Sequence, residues 1–144
     1  MATTTGTEEN KRIARQVPEE IATAGNVDLI DEVYAADAVE HDAFAEYRGR
    51  AAIREWLEDV REAFPDVSAA VEDVVAEGDT VAMRVTLRGT HEGEFAGIAP
   101  TGKAFEVGNT VFTRIEDGRI VERWVQPDAL GLLRQLGVGE LPAE

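Results

Sequence analysis

Residues 67–91, VSAAVEDVVAEGDTVAMRVTLRGTH, alternate apolar and polar side chains and break once, at Glu77-Gly78-Asp79. A period of two marks strands with one face on a core, and a glycine-centred break between two such runs marks a hairpin. In the second run Val81, Met83, Val85 and Leu87 share a face. This hairpin divides the chain. Before it, apolar residues recur at helical spacing. After it, most of the chain keeps the period of two.

Upstream, Glu8-Glu9 follow Thr5 and Thr7, either of which suits a helix start. Residues 1–7 are expected to be flexible. Ile13, Val17 and Ile21 recur every four residues and predict an amphipathic helix, which Pro18 should kink or split and Gly25-Asn26 should end. A short second helix, capped by Asn26, carries Val27, Ile30, Val33 and Tyr34. A third runs from about Arg50 to Phe64 with Ile53, Trp56, Leu57, Val60 and Phe64 on its stripe, and Pro65-Asp66 stops it. Downstream, the glycine-rich loop EGEFAGIAPTGKAF (92–105) leads into the strands FEVGNTVFTRI (105–115) and RIVERWVQ (119–126), joined at Glu116-Asp117-Gly118. A last helix holds Leu130, Leu133 and Leu136 and closes at Gly137. The order predicts an α+β fold: three N-terminal helices packed on a curved four-stranded antiparallel sheet, then a short C-terminal helix. Residues 8–144 read as one domain with a cone-shaped apolar pocket between helices and sheet.

Composition narrows the function. The chain carries 29 acidic and 14 basic residues, a net charge of −15, and its only lysines are Lys11 and Lys103. Such a surface repels nucleic-acid phosphates and anionic membranes, so neither is an expected partner. Acid excess with lysine scarcity reads as adaptation to high salt. No apolar run approaches the ~20 residues of a membrane span, and the N-terminus lacks the pattern of a secretory signal, so the expected location is the cytoplasm. Without cysteine there is no thiolate chemistry.

Several side chains are candidates for chemistry. In ERWVQPDALGLL (122–133), simple alternation puts Glu122, Trp124 and Gln126 on one face, and Asp128 continues that parity. A carboxylate beside an indole in an apolar cavity resists ionisation, which suits proton transfer. Asp128 also stands just after a proline and before a helical run, where aspartate is a good helix cap. His91 shares the core-side parity of Leu87 and Gly89, and Asn109 lies among Val107, Val111 and Thr113. His41 falls after the second helix, where a loop can close a pocket mouth; Phe95 in the glycine-rich loop suits a lid. Trp56, Phe105 and Phe112 are further candidate wall residues, although the helical stripe assigns Trp56 to the core. Two distant histidines without clustered carboxylates predict no metal. The loop glycines follow no phosphate-binding pattern.

The stretches YAADAVEHD (34–42), FPD (64–66), AEGDTVAMRVTLRGTHEGEFAGIAPTGK (76–103), DGRIVERWVQPD (117–128) and LLRQLG (132–137) resemble the SnoaL-like polyketide cyclase (ester cyclase) family, of the nuclear-transport-factor-2-like fold shared with ketosteroid isomerase. The resemblance implies an NTF2-like cone and an enzyme that needs no cofactor, removes a proton next to a carbonyl and closes a ring. It places the catalytic acid/base at Asp128, in a Trp124-x-x-x-Asp match, gives His91 the substrate oxygen and sets His41 at the pocket of a small apolar or polyketide-like substrate, around which the spacing of the residues adds Trp124, Asn109, Phe95 and Glu122. It also implies a homodimer through the outer sheet face, where Phe112 and the arginines Arg84, Arg88 and Arg114 stand. Other functions of this fold remain alternatives: isomerase, epoxide hydrolase, or a non-catalytic ligand-binding module.

Overall fold

A computed structural model of the chain describes residues 6–138. α1 spans Thr7–Gln16 and starts at Gly6; the expected Thr5 cap lies outside the described residues. Pro18 has no N–H to continue the ladder, and the helix runs on as a π-helical segment, Val17–Thr23. Thr23 ties this segment to the sheet: its hydroxyl donates to Pro18 O at 2.7 Å and accepts from Ala69 N at 2.9 Å. A 3₁₀ turn, Val27–Leu29, leads into α2, Ile30–Val33.

The expectation of four strands is corrected here. Tyr34, placed by periodicity in a helix, opens β1, Tyr34–His41, followed by β2, Glu46–Arg48. α3 (Arg50–Ala63), β3 (Ser68–Glu77), β4 (Thr80–Thr90), β5 (Ala104–Glu116), β6 (Arg119–Pro127) and α4 (Ala129–Gln135) follow close to expectation. The sheet has six strands in the order β2-β1-β6-β5-β4-β3. β1 pairs in parallel with β6, and the other pairings are antiparallel.

The pairing shifts register at three places, in β1 between Tyr34 and Val39, in β3 and in β6, and the last two decide which side chains face inward. In β6, Arg114 pairs with Glu122 but the next β5 residue, Ile115, pairs with Ile120, so Val121 is the extra residue. The bulge reverses parity: Ile120 is buried, yet Arg123, Val125 and Pro127 follow it on the inner face, not Glu122 and Trp124. In β3 the pairing shifts between Val71 and Asp73, which leaves Val75 outside and 65% exposed.

The inner face packs on Ile13, Val17, Ile21, Ile53 and Leu57 from the helices, with Val81, Met83, Val85 and Val111 from the sheet. A second cluster, including Phe64, Phe95, Phe105, Leu132 and Leu136, closes the end where β5 begins.

Candidate active site

Between the two clusters lies an apolar cavity of about 120 Å³. Val17 and Pro18 of the π segment line it on one side, Trp56 and Val60 of α3 and Phe64 just after it on another, and Val107 and Val125 from the sheet. Its polar lining is Glu40, Asp42, Asn109 and Arg123.

β1 and β6 bring three of these together. Glu40 stands opposite Arg123 in the parallel register. Arg123 Nη1 donates to Glu40 Oε1 at 3.2 Å, and the Tyr34 hydroxyl donates to the same oxygen at 2.7 Å. Tyr34 is fully buried, Glu40 is 1% exposed and Arg123 6%. Burial, then the charge of Glu40, holds the Tyr34 phenol well above its ordinary range, so it remains a donor. Burial favours the neutral form of Arg123, but the charge of Glu40 and the Glu40 hydrogen bond prevail and raise its proton affinity.

Asp42 lies just past the end of β1 and continues the inner parity of Ala38 and Glu40. Its Oδ2 is buried with no hydrogen-bond partner among the described residues. Burial pushes its carboxyl up to about 6; Glu40 adds to the rise, while the backbone N–H groups of Ala43 and Phe44 and the Arg123 charge oppose it. Two further polar atoms at the cavity, Asn109 Oδ1 and Arg123 Nε, are also buried and unpartnered among the described residues. Buried polar groups are nearly always satisfied. Three of the exceptions face this one apolar cavity, while others, such as His91 Nε2 and Thr113 Oγ1, lie away from it.

Aromatic rings form the mouth. Phe44, on the turn after Asp42, is 39% exposed and meets Phe95 edge-on at 5.4 Å. Phe95 also packs on Phe64 at 5.0 Å and Trp56 at 6.3 Å. It is held by a tight turn, with Phe95 N and Ile98 N each donating to the other residue's carbonyl, while Ala96 and Gly97 take positive φ. The base of this loop is pinned at Gly93, where a Cβ would come within 2.5 Å of Glu62 O. Outside the mouth, Trp56 stacks on Tyr47 at 5.0 Å in a groove that carries Glu55, Asp59, Glu62 and Glu94. Burial and nearby carboxylates, Asp42 first, push the Tyr47 phenol up to about 12.

The expected site residues divide. Phe95 and Asn109 line the cavity. Asp128 does not: it is exposed, its Oδ1 accepts from Gly131 N at 2.9 Å, and it caps α4. Gly131 fits that cap because a Cβ there would sit 2.3 Å from Asp128 Oδ2. His91 is fully buried against Phe64, and its Nδ1 accepts from Thr101 N at 3.2 Å. It ties down the loop and is not part of the cavity lining. Trp124, Glu122 and His41 stand on the outer face, because the Val121 bulge turns the first two away and His41 pairs with Trp124. The His41 ring stacks on Trp124 at 5.6 Å, with Nε2 2.6 Å from Glu122 and Nδ1 3.0 Å from Glu46. Hydrogen bonds from His41, then Arg114, hold the Glu122 carboxyl below its ordinary range. Sequence reasoning missed Glu40, Asp42 and Arg123. The signal was the alternation Ala38, Glu40, Asp42, which is visible only once YAADAVEHD is read as a strand.

Comparison with known proteins fixes the family. The model of the SnoaL-like polyketide cyclases matches residues 12–136. The chain belongs to this family. Aklanonic acid methyl ester cyclase AcmA of Streptomyces galilaeus is 39% identical to this SnoaL-like chain over 71 residues, 48% of the chain and only about half (49%) of AcmA itself. Nogalonic acid methyl ester cyclase of Streptomyces nogalater is 32% identical over 120 residues, 78% of this chain and 87% of its own. Among solved structures, wild-type IdmH of Streptomyces antibioticus superposes with a TM-score of 0.77 at 35% identity, covering 90% of this chain and 99% of IdmH. The architecture is the NTF2-like α+β fold, with two strands more than the alternation announced. Among the described residues no group of three or more His, Cys, Asp and Glu could hold a metal ion, and no helix is long and apolar enough to cross a membrane.

Proposed function

We propose that this SnoaL-like chain is a cofactor-independent cyclase in which Asp42, not Asp128, is the acid/base. One observation carries the reading: a carboxylate with an unpartnered oxygen, on an apolar cavity, whose proton affinity burial raises to about 6. Asp42 Oδ2 takes a proton from the carbon next to a substrate carbonyl. The electron pair moves into an enolate, whose oxygen accepts a hydrogen bond from Arg123 Nε. The enolate carbon attacks a second carbonyl carbon of the same molecule and forms the ring bond. The new alkoxide takes back the proton from Asp42, so nothing is consumed. The Asn109 amide binds another substrate oxygen.

The cavity also bears on substrate size. An engineered apolar cavity of about 150 Å³ takes benzene, so a cavity of about 120 Å³ holds no more than about one ring. Any larger substrate extends past Phe44 and Phe95 into the groove beside Tyr47 and Trp56. Hydrogen–deuterium exchange of acetophenone, followed by NMR in D₂O, tests proton abstraction directly. The wild type is expected to accelerate exchange and Asp42→Asn to remove the acceleration. Equal acceleration by wild type and Asp42→Asn would sink the assignment. A second reading, a non-catalytic module that binds an apolar ligand, draws on the exposed capping role of Asp128. It predicts ligand binding without exchange.

The expected homodimer through the outer sheet face belongs to the same proposal. One transverse row, Val75, Ala82, Phe112, Trp124 and His41, runs in register across β3, β4, β5, β6 and β1. Phe112 is 48% exposed in it. The arginines beside the row already have partners within the chain: Arg84 with Asp73, Arg88 with Glu106, and Arg114 with Glu116 and Glu122. The apolar row, not new ion pairs, would form the contact. Light scattering should give a dimer mass that Phe112→Glu reduces to a monomer.

A further inference from the structure

Arg123 stands near two carboxylates and holds one. Its Nη1 bonds Glu40, while Asp42, two residues along on the same face, keeps Oδ2 free although the charges of Arg123 and Asp42 bias each other. A guanidinium is a five-donor fork suited to carboxylates, and in a low dielectric an unpaired carboxylate beside it would ordinarily be captured. The Tyr34 hydroxyl breaks the tie. It gives Glu40 Oε1 a second strong donor at 2.7 Å, in a fully buried position that water cannot compete for.

We propose that Glu40, locked by Tyr34, is a positioning residue: it detains the Arg123 guanidinium, which would otherwise pair with Asp42, and so leaves the Asp42 oxygen open to substrate. The inference rests on the acid/base role of Asp42. Captured by Arg123, Asp42 would lose both its free lone pair and its basicity. Detained at Glu40, Arg123 still keeps Nε unpartnered at the cavity for the substrate oxygen. The charged and titratable groups facing Asp42 are then Glu40, Arg123 and Tyr47.

Three variants of the full chain test this, with the Asp42 carboxyl carbon followed by NMR across pH 4–8 and thermal unfolding measured alongside. Glu40→Gln should fold, because Asp42 takes over Arg123, and its Asp42 midpoint should drop by more than about one pH unit. The pair Glu40→Gln with Arg123→Met removes captor and captive together and so leaves neither partner of the ion pair as an unpaired buried charge. Its Asp42 midpoint should return to within about half a unit of wild type. The pair Glu40→Gln with Asp42→Asn leaves Arg123 with neither carboxylate and should melt below the sum of the single effects. The proposal is overturned if Glu40→Gln does not fold, if its Asp42 midpoint stays or rises, or if the midpoint falls equally with and without Arg123, which is what simple loosening would do. Acetophenone exchange separates the two readings. Wild type without exchange but with the expected shifts removes only the proposed reaction. Exchange intact with an unmoved Asp42 midpoint in Glu40→Gln removes only the positioning role.

Discussion

Asp42 and Asp128 follow β1 and β6, parallel neighbours, so both carboxylates emerge at the same end of the sheet. Asp128 emerges into solvent and accepts a bond from Gly131 N. Asp42 emerges onto an apolar cavity with one oxygen unmatched. The chemistry of a carboxylate is set by what surrounds it: Asp128 is occupied as a helix cap, and the dry wall around Asp42 raises its proton affinity.

The widest gap between the two should be kinetic. Asp42→Asn is expected to lower the acetophenone exchange rate by at least about 100-fold, and Asp128→Asn to change it less than about twofold. Exchange lost in Asp128→Asn and kept in Asp42→Asn would invert the comparison.

The pH dependence follows from the same carboxyl. Exchange should rise as Asp42 ionises through about pH 6 and level off above it. A half-maximum near pH 4 would show an ordinary, solvated carboxylate.

Stability should separate the pair by sign. The folded state holds the Asp42 proton up to about pH 6 and the unfolded chain only to about 3.8, so its ionised form costs stability above that window and nothing below it. Asp42→Asn should therefore gain about 1–2 kcal/mol at pH 7, after allowance for partial solvent screening, and lose that gain near pH 4. Asp128→Ala should lose about 1 kcal/mol with the cap at pH 7. Urea unfolding at both pH values checks the signs, and a destabilised Asp42→Asn would mean that burial does not strain this carboxyl.

The smallest effect at either site should come from salt, which acts on the whole surface. With a net charge of −15, the melting temperature is expected to rise from low to molar NaCl. Many exposed pairs, such as Arg12 with Glu9 and Arg54 with Asp28, weaken as salt rises and oppose the trend. A flat or falling melting curve would remove the reading of high-salt adaptation.

Much of the fold was legible because its period was clean. Val81, Met83 and Val85 and the stripe Ile53, Leu57 face where their spacing says. β1 was not legible because Ala35, Ala36, Asp37 and Ala38 have little strand preference, and β6 pairs only with the residues on either side of them, Tyr34 and Val39–His41. The site suffered from one residue. Val121 is indistinguishable from any other strand valine, yet as a bulge it sends Trp124 outward and brings Arg123 in. Phe95 and Asn109 line the cavity, Asn109 because β4 and β5 pair without a register shift around it. Arg123 and Glu40 read as surface charges when taken singly, and their mutual pairing, together with the Tyr34 hydroxyl on Glu40, accounts for their burial.

The same bulge gives the molecule two separate optical channels. Of the two indoles, Trp56 lies at the cavity against Tyr47, and Trp124 lies on the opposite side of the sheet against His41. A chain keeping only the first emitter glows in response to what enters the interior. A chain keeping only the second responds to the imidazole and to whatever covers the exterior. Occupancy and assembly, usually confounded in one spectrum, can here be read separately from two single-tryptophan variants.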